Sequence, residues 1–220
     1  MFQYVLFDLD GTLTDPKTGI TSCVQYALAD AGIEEPDLDK LEPFIGPPLT
    51  DSFREFYGFD DEQIKRAIDK YHERFDEKGI FENEIIEGIP ELLKALKDAG
   101  RRVSIASSKP RPLVIRILEH FEIAQYFDTV VGSEFDGRFA TKEAVVEEAL
   151  KQLVPSVYEK EDVAMVGDRK FDIQGARAHG LTGIGVSFGY AGEHELEDAG
   201  ADYIVDTVEE LQRLLLQGCL

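Results

Sequence analysis

Two carboxylates, Asp8 and Asp10, stand where an apolar stretch ends, in the run Phe7, Asp8, Leu9, Asp10, Gly11, Thr12, Leu13, Thr14, Asp15. The preceding residues, Tyr4, Val5, Leu6 and Phe7, are too apolar for a surface position and read as a buried strand of a parallel sheet, which Gly11 breaks. In open α/β sheets ligands bind beyond the carboxyl ends of the strands, so both aspartates are expected on the floor of a site. Alternation along a strand sets them on one side of the backbone. Two unpaired carboxylates this close repel one another, and a cation between them is the expected resolution. An Asx-rich turn that caps a strand would use the same residue types.

Three further stretches carry chemistry at similar places. Arg102 to Pro110 is a second apolar strand, ending in Ser107, Ser108 and Lys109. A hydroxyl there can donate to a phosphate oxygen or cap the next helix, which Lys109 is expected to open, with Pro110 and Pro112 near its first turn. Lys142 follows Thr141 and opens the amphipathic stretch Ala144, Val145, Val146, Ala149, Leu150, Leu153. The helix dipole disfavours lysine in a first turn, which leaves a functional constraint or a solvated surface as the explanation. Last, Val163 to Val166 run into Gly167, Asp168, Arg169, Lys170, Phe171 and Asp172. Two acids four apart on a helix can face one point, and Arg169 and Lys170 between them read either as partners of those carboxylates or, in preference, as surface charges.

In order and spacing these stretches resemble the four motifs of the haloacid dehalogenase superfamily, whose common form is a phosphatase that works through an aspartyl-phosphate. The resemblance extends over nearly the whole chain. It implies Asp8 as nucleophile, Asp10 as acid and then base, and Ser107 and Lys142 as holders of the phosphoryl oxygens. It implies Mg²⁺ held by Asp8, the backbone carbonyl of Asp10 and Asp168, with Asp172 holding that site in place from outside. Thr12, Ser108 and Lys109 are expected against the substrate. An acid at position 10 argues against dehalogenation, because a halide leaves without a proton.

The Gly46, Pro47, Pro48, Leu49 loop and the Gly167 to Lys170 run look closest to the phosphoglycolate phosphatase and 5′-nucleotidase branch, which implies a small phosphorylated metabolite, a phosphate monoester, as substrate. A phosphosugar mutase shares all four motifs and stays open as an alternative. A phosphonate hydrolase would need a lysine from the inserted segment, and nothing in the spacing of Lys17, Lys40, Lys65, Lys70 and Lys78 singles one out. A signalling receiver that accepts phosphate without turnover lacks an insertion of this size.

The net charge of −21, from 44 acids against 23 bases, argues against nucleic acid and anionic membranes as partners. A small anion is compatible if Mg²⁺, Lys142, Lys109 and helix N-termini reverse the field locally. No apolar run is long enough to span a bilayer and no leader pattern precedes the first strand, so a cytoplasmic protein is expected, monomeric or weakly dimeric. Its two cysteines, Cys23 and Cys219, are far apart, and Cys23 lies on an apolar helical face as a buried thiol.

A helical pattern from about Thr18 to Ala31 stops at Gly32, and Pro36, Pro43, Pro47 and Pro48 punctuate the irregular stretch after it. Asp60 with Gln63 offers a capping box for a helix with apolar positions Ile64, Ala67, Ile68, Tyr71 and Phe75. From Gly88 onward helix and strand alternate, which predicts an α/β, doubly wound, Rossmann-like parallel sheet. The expected division is a core of residues 1–15 and 85–220 with an all-helical cap of 16–84, hinged near 14–19 and 81–88. Within the cap, the loop Phe44 to Leu49, with Gly46, and Arg54 on the helix after it are candidates for recognising the leaving group. Phe53, Phe56, Tyr57 and Phe59 are expected to form the cap core.

Overall fold

The computed structural model describes residues 2–134, 136–154 and 158–218, so Cys219 lies outside the described residues. The chain divides into two compact units, Met1–Thr14 with Ile85–Leu220, and Asp15–Glu84. In chain order the elements are β1 (Tyr4–Phe7), β2 (Thr14–Asp15), α1 (Lys17–Asp30), α2 (Leu49–Tyr57), α3 (Asp61–Phe75), β3 (Glu84–Ile85) and α4 (Ile89–Asp98). Next come β4 (Arg102–Pro110), α5 (Arg111–His120), β5 (Thr129–Ser133), α6 (Lys142–Leu153), β6 (Val163–Gly167) and α7 (Lys170–Ala178). The chain finishes with β7 (Thr182–Val186), α8 (Glu195–Ala199), β8 (Tyr203–Val205) and α9 (Val208–Gln217).

Among the described residues the first unit holds a six-stranded sheet in the order β5-β4-β1-β6-β7-β8, parallel throughout. Val5 pairs with Val103 on one side and Ala164 on the other. That central place explains why β1 is apolar at every position: Leu6 joins Met165 and Ala106 against Val145, Val146, Ala149 and Leu150 of α6. Val5 and Phe7 face the opposite way by alternation and are fully buried too, so both faces are covered. Burial of Leu6 and Phe7 contributes about 1.5–3 kcal/mol each. The chain leaves β1 toward β4 and β5 on one side and toward β6, β7 and β8 on the other, so the strand order reverses at β1, where such sheets bind ligands. No helix of the described residues is long and apolar enough to cross a membrane.

Lys109 does not open α5. It belongs to β4, which continues to Pro110, and α5 starts at Arg111 with Pro112 in its first turn. The cause is local, since a residue before proline is pushed out of the helical region. Ser107 pairs with Gly132 and Pro110 with Ser133, so Ser108 and Lys109 bulge out of the ladder. Gly132 leaves room for that bulge, because a Cβ there would lie 2.6 Å from the Lys109 carbonyl oxygen.

In the second unit α1 packs on α3, and Cys23 is buried against Gly79, where a Cβ would come within 2.4 Å of its Sγ. Asp60 accepts from the amides of Glu62 and Gln63 at 3.0 and 2.9 Å, and Gln63 accepts from the Asp60 amide at 3.0 Å, completing the capping box. The apolar loop Phe44 to Leu49 packs in part within its own unit. Phe44 and Ile45 are buried, with the Phe44 ring 5.0 Å from that of Phe53, while Gly46 is half-buried. Phe53 and Phe59 are core residues as expected, but Phe56 is 44% exposed, at the edge of the buried face of α2 where it leans on Phe44. Arg54 is held by acids of its own unit, donating to Asp61 Oδ1 at 2.8 Å with Asp51 4.0 Å away.

Candidate active site

The Asp8 amide continues the ladder by donating to the Val166 carbonyl, and the chain then turns, with the Gly11 amide donating to the Thr14 carbonyl at 2.7 Å. Gly11 is required here twice over. Its φ is +78°, and a Cβ would meet Asp168 Oδ2 at 2.1 Å.

Lys142, the first residue of α6, lies buried with its Nζ 2.8 Å from Asp8 Oδ1, 2.9 Å from Asp172 Oδ1 and 3.0 Å from the Ala106 carbonyl oxygen. Its ammonium donates to the Ala106 carbonyl and forms ion pairs with the two carboxylates. Burial alone would push its pKa down, but Asp172 and Asp8 outweigh that and hold it above the ordinary lysine range. The same two carboxylates account for a lysine in a first turn, where the dipole opposes it.

Asp168 accepts from the Thr12 hydroxyl at 3.4 Å and from the Tyr190 amide at 2.8 Å. Asp172 accepts from the Arg169 amide at 3.0 Å and folds back over Gly167, where a Cβ would lie 2.1 Å from its Cγ. Burial, reinforced by Asp172 and Asp8, pushes Asp168 well above the carboxylate range. Burial also pushes Asp172 up, to about 6, against the pull of Lys142.

Ligand atoms of Asp8, Asp168 and Asp172 all lie within 4.8 Å of one another. Ionised, as a bound cation requires, these three carboxylates exceed by two charges the ammonium of Lys142, which pairs with Asp8 and Asp172. The donor set is all oxygen and the deficit is that of one divalent cation, so the residues fit a hard ion such as Mg²⁺.

Asp8 and Asp10 are not the unpaired couple that their spacing suggests. Each has its own lysine, Asp8 with Lys142 and Asp10 with Lys109, whose Nζ contacts Asp10 Oδ2. The bulge in β4 accounts for this, since it frees Lys109 from the ladder. Asp10 Oδ1 is buried with no hydrogen-bond partner among the described residues. Ser107 is buried and its Oγ accepts from the Lys109 amide at 3.3 Å, which leaves its own proton to donate. The Ser108 carbonyl accepts from the Ser133 hydroxyl at 2.8 Å, and the Thr12 hydroxyl is engaged by Asp168. Gly46 and Arg54 belong to the second unit.

Arg169 is not a surface charge. Its Nε donates to Glu195 Oε1 at 2.9 Å, and only Lys170 is exposed, over the Phe171 ring at 5.3 Å. Sequence reasoning missed Tyr190 and Glu195 altogether. Tyr190 contributes through its amide, which has no residue signature. The usable signal was Gly189, whose Cβ would lie 2.3 Å from that of Asp168.

Residues 5–186 match the family model of haloacid dehalogenase-like hydrolases. A 5′-nucleotidase of Pseudomonas aeruginosa is 45% identical over 196 residues, 89% of this chain and 87% of that protein. The tyrosine-protein kinase PtkA of Mycobacterium tuberculosis is 38% identical over 216 residues, 97% of this chain and 72% of the relative. Among solved structures, a predicted phosphatase from Clostridium acetobutylicum superposes with a TM-score of 0.92 at 46% identity, covering 99% of both chains.

Proposed function

Because this chain belongs to the haloacid dehalogenase-like hydrolases, we propose that it is a Mg²⁺-dependent phosphatase that hydrolyses a small phosphate monoester through an aspartyl-phosphate on Asp8. The observation that carries this reading is the buried lysine shared by Asp8 and Asp172, with Asp168 beside them. Lys142, 2.8 Å from Asp8 Oδ1, holds that carboxylate in place, and an oxygen of Asp8 attacks phosphorus as the bond to the leaving oxygen breaks. Asp10 gives its proton to that departing oxygen. Water then attacks the same phosphorus, Asp10 takes a proton from it, and the bond to Asp8 breaks to restore the free carboxylate. Ser107 and Lys142 take up charge on the phosphoryl oxygens, where most stabilisation in phosphoryl transfer arises. Asp8 and Asp168, with the Asp10 carbonyl, would hold the cation, which when bound neutralises the charge of the acids and of the phosphoryl group.

The 45% identical relative is named a 5′-nucleotidase, and a phosphoglycolate phosphatase of Pseudomonas aeruginosa is 25% identical, which supports nucleoside 5′-monophosphates first and phosphoglycolate second as substrates. The test is phosphate release from nucleotides, phosphoglycolate and sugar phosphates in Mg²⁺ or EDTA, with Asp8→Asn beside the wild type. Metal-dependent release from one class, lost in the variant, supports the proposal. Transfer of phosphate between positions of a sugar without net release overturns it in favour of a mutase.

A further inference from the structure

The orientation of Asp168 depends on the segment between β7 and α8. Tyr190 donates its amide to Asp168 Oδ2 at 2.8 Å, and Gly189 packs so closely that a Cβ would lie 2.5 Å from both Asp168 Oδ2 and the Gly11 carbonyl oxygen. The far end of that segment is tied down by one carboxylate. Glu195 Oε2 accepts from the Gly192 amide at 3.1 Å, while Oε1 accepts from Arg169 Nε and from the Lys170 amide, both at 2.9 Å. The Arg169 and Glu195 side chains are each only 14% exposed.

Lys170 is the first residue of α7, and the residue before it, Arg169, has no side-chain acceptor to offer the helix. Glu195 supplies that acceptor from another element, at the positive end of the helix dipole. Burial opposes ionisation of Glu195, but the bonds from Arg169 and the two amides outweigh it and hold its carboxyl below the usual range. The Arg169 amide meanwhile donates to Asp172 Oδ2. One charged group thus joins the segment carrying the amide donor of Asp168 to the helix start carrying Asp172.

We propose that Glu195, through Arg169 and the amides of Lys170 and Gly192, is a positioning residue that sets the affinity of the protein for its divalent cation without touching it. The inference rests on the reading that Asp8 and Asp168 hold that cation. Hydrogen-bond partners behind a metal-ligating group are worth about 10–100-fold in metal affinity.

The test is calorimetric titration of Mg²⁺ into the substrate-free full chain for wild type, Glu195→Ala and Arg169→Met, with circular dichroism in EDTA to establish that each is folded. The two substitutions change the local field in opposite senses. Loss of Glu195 removes a negative charge and by field alone weakens cation binding, whereas loss of Arg169 removes a positive charge and by field alone strengthens it. The clamp predicts weaker binding in both, by about tenfold or more for Glu195→Ala, with kcat at saturating Mg²⁺ left at the wild-type value. Glu195→Gln, which keeps one acceptor, falls between and serves if Glu195→Ala does not fold. Unchanged affinity in the Glu195 variants, or tighter binding in Arg169→Met, overturns the clamp. A wild type that takes up no Mg²⁺, or an Asp168→Asn variant that binds it as well, overturns the underlying cation reading instead.

Discussion

Lys109 and Asp10 form an ion pair across 99 positions of sequence, with side chains only 8% and 13% exposed. The pair places a fixed positive charge on one oxygen of the proposed proton carrier and leaves the other oxygen without a partner among the described residues. Asp10→Asn is expected to cost about 10²–10⁴ in kcat on alkyl phosphates, whose leaving oxygen needs a proton. It should cost far less on 4-nitrophenyl phosphate, whose phenolate departs unassisted. Equal losses on both substrates would remove Asp10 from the role of acid.

Lys142→Met should damage both stability and turnover. It strands Asp8 and Asp172 as buried charges without their cation, which costs about 3–5 kcal/mol, and it removes a donor to the phosphoryl group, which costs about 10²–10³ in kcat. Urea unfolding in EDTA checks the first effect and steady-state kinetics the second. A folded variant of unchanged stability would contradict the shared-lysine arrangement.

Gly11→Ala should weaken Mg²⁺ binding and lower stability by about 1–2 kcal/mol from the left-handed backbone alone. The clash of its Cβ with Asp168 adds to that. The check is calorimetric Mg²⁺ affinity beside thermal unfolding, and wild-type values for both would contradict the observed packing.

In the cation-free protein the pKa values of Asp168 and Asp172 lie above their unfolded values, pushed there by burial and by neighbouring acids. A raised carboxyl favours folding while it is protonated. Its contribution is complete below the unfolded pKa and is lost as pH rises through the folded one, about 6 for Asp172. Mg²⁺ competes with those protons, so the rise in Tm that it causes should grow from pH 5 to pH 7.5 in differential scanning fluorimetry, as proton competition requires. A rise independent of pH, or one kept in Asp168→Asn, would contradict the cluster.

Much of the sheet was legible in the sequence because its centre is extreme. A strand buried on both faces must be apolar throughout, and β1 and β6 announce themselves in that way, with Gly167 ending β6, while β1 stops at Phe7, ahead of Gly11. Asp8, Asp168 and Lys142 were visible as polar residues placed where those elements end or begin. Lys109 falls in β4 and not in α5 because the effect of Pro110 on the residue before it outweighs the helix-starting tendency of the prolines. Arg169 reads as a surface charge and Glu195 goes unnoticed because a buried ion pair between residues 26 apart looks, in sequence, like two surface charges.

The most direct test of the account is to quench turnover of a ³²P-labelled monoester in acid, digest the protein and locate the label. A phosphoryl group is expected on the peptide carrying Asp8, acid-stable and released by hydroxylamine, and none in Asp8→Asn. Full turnover with no phosphoryl group on the protein at any time, and with inversion rather than retention at a chirally labelled phosphorus, would contradict it.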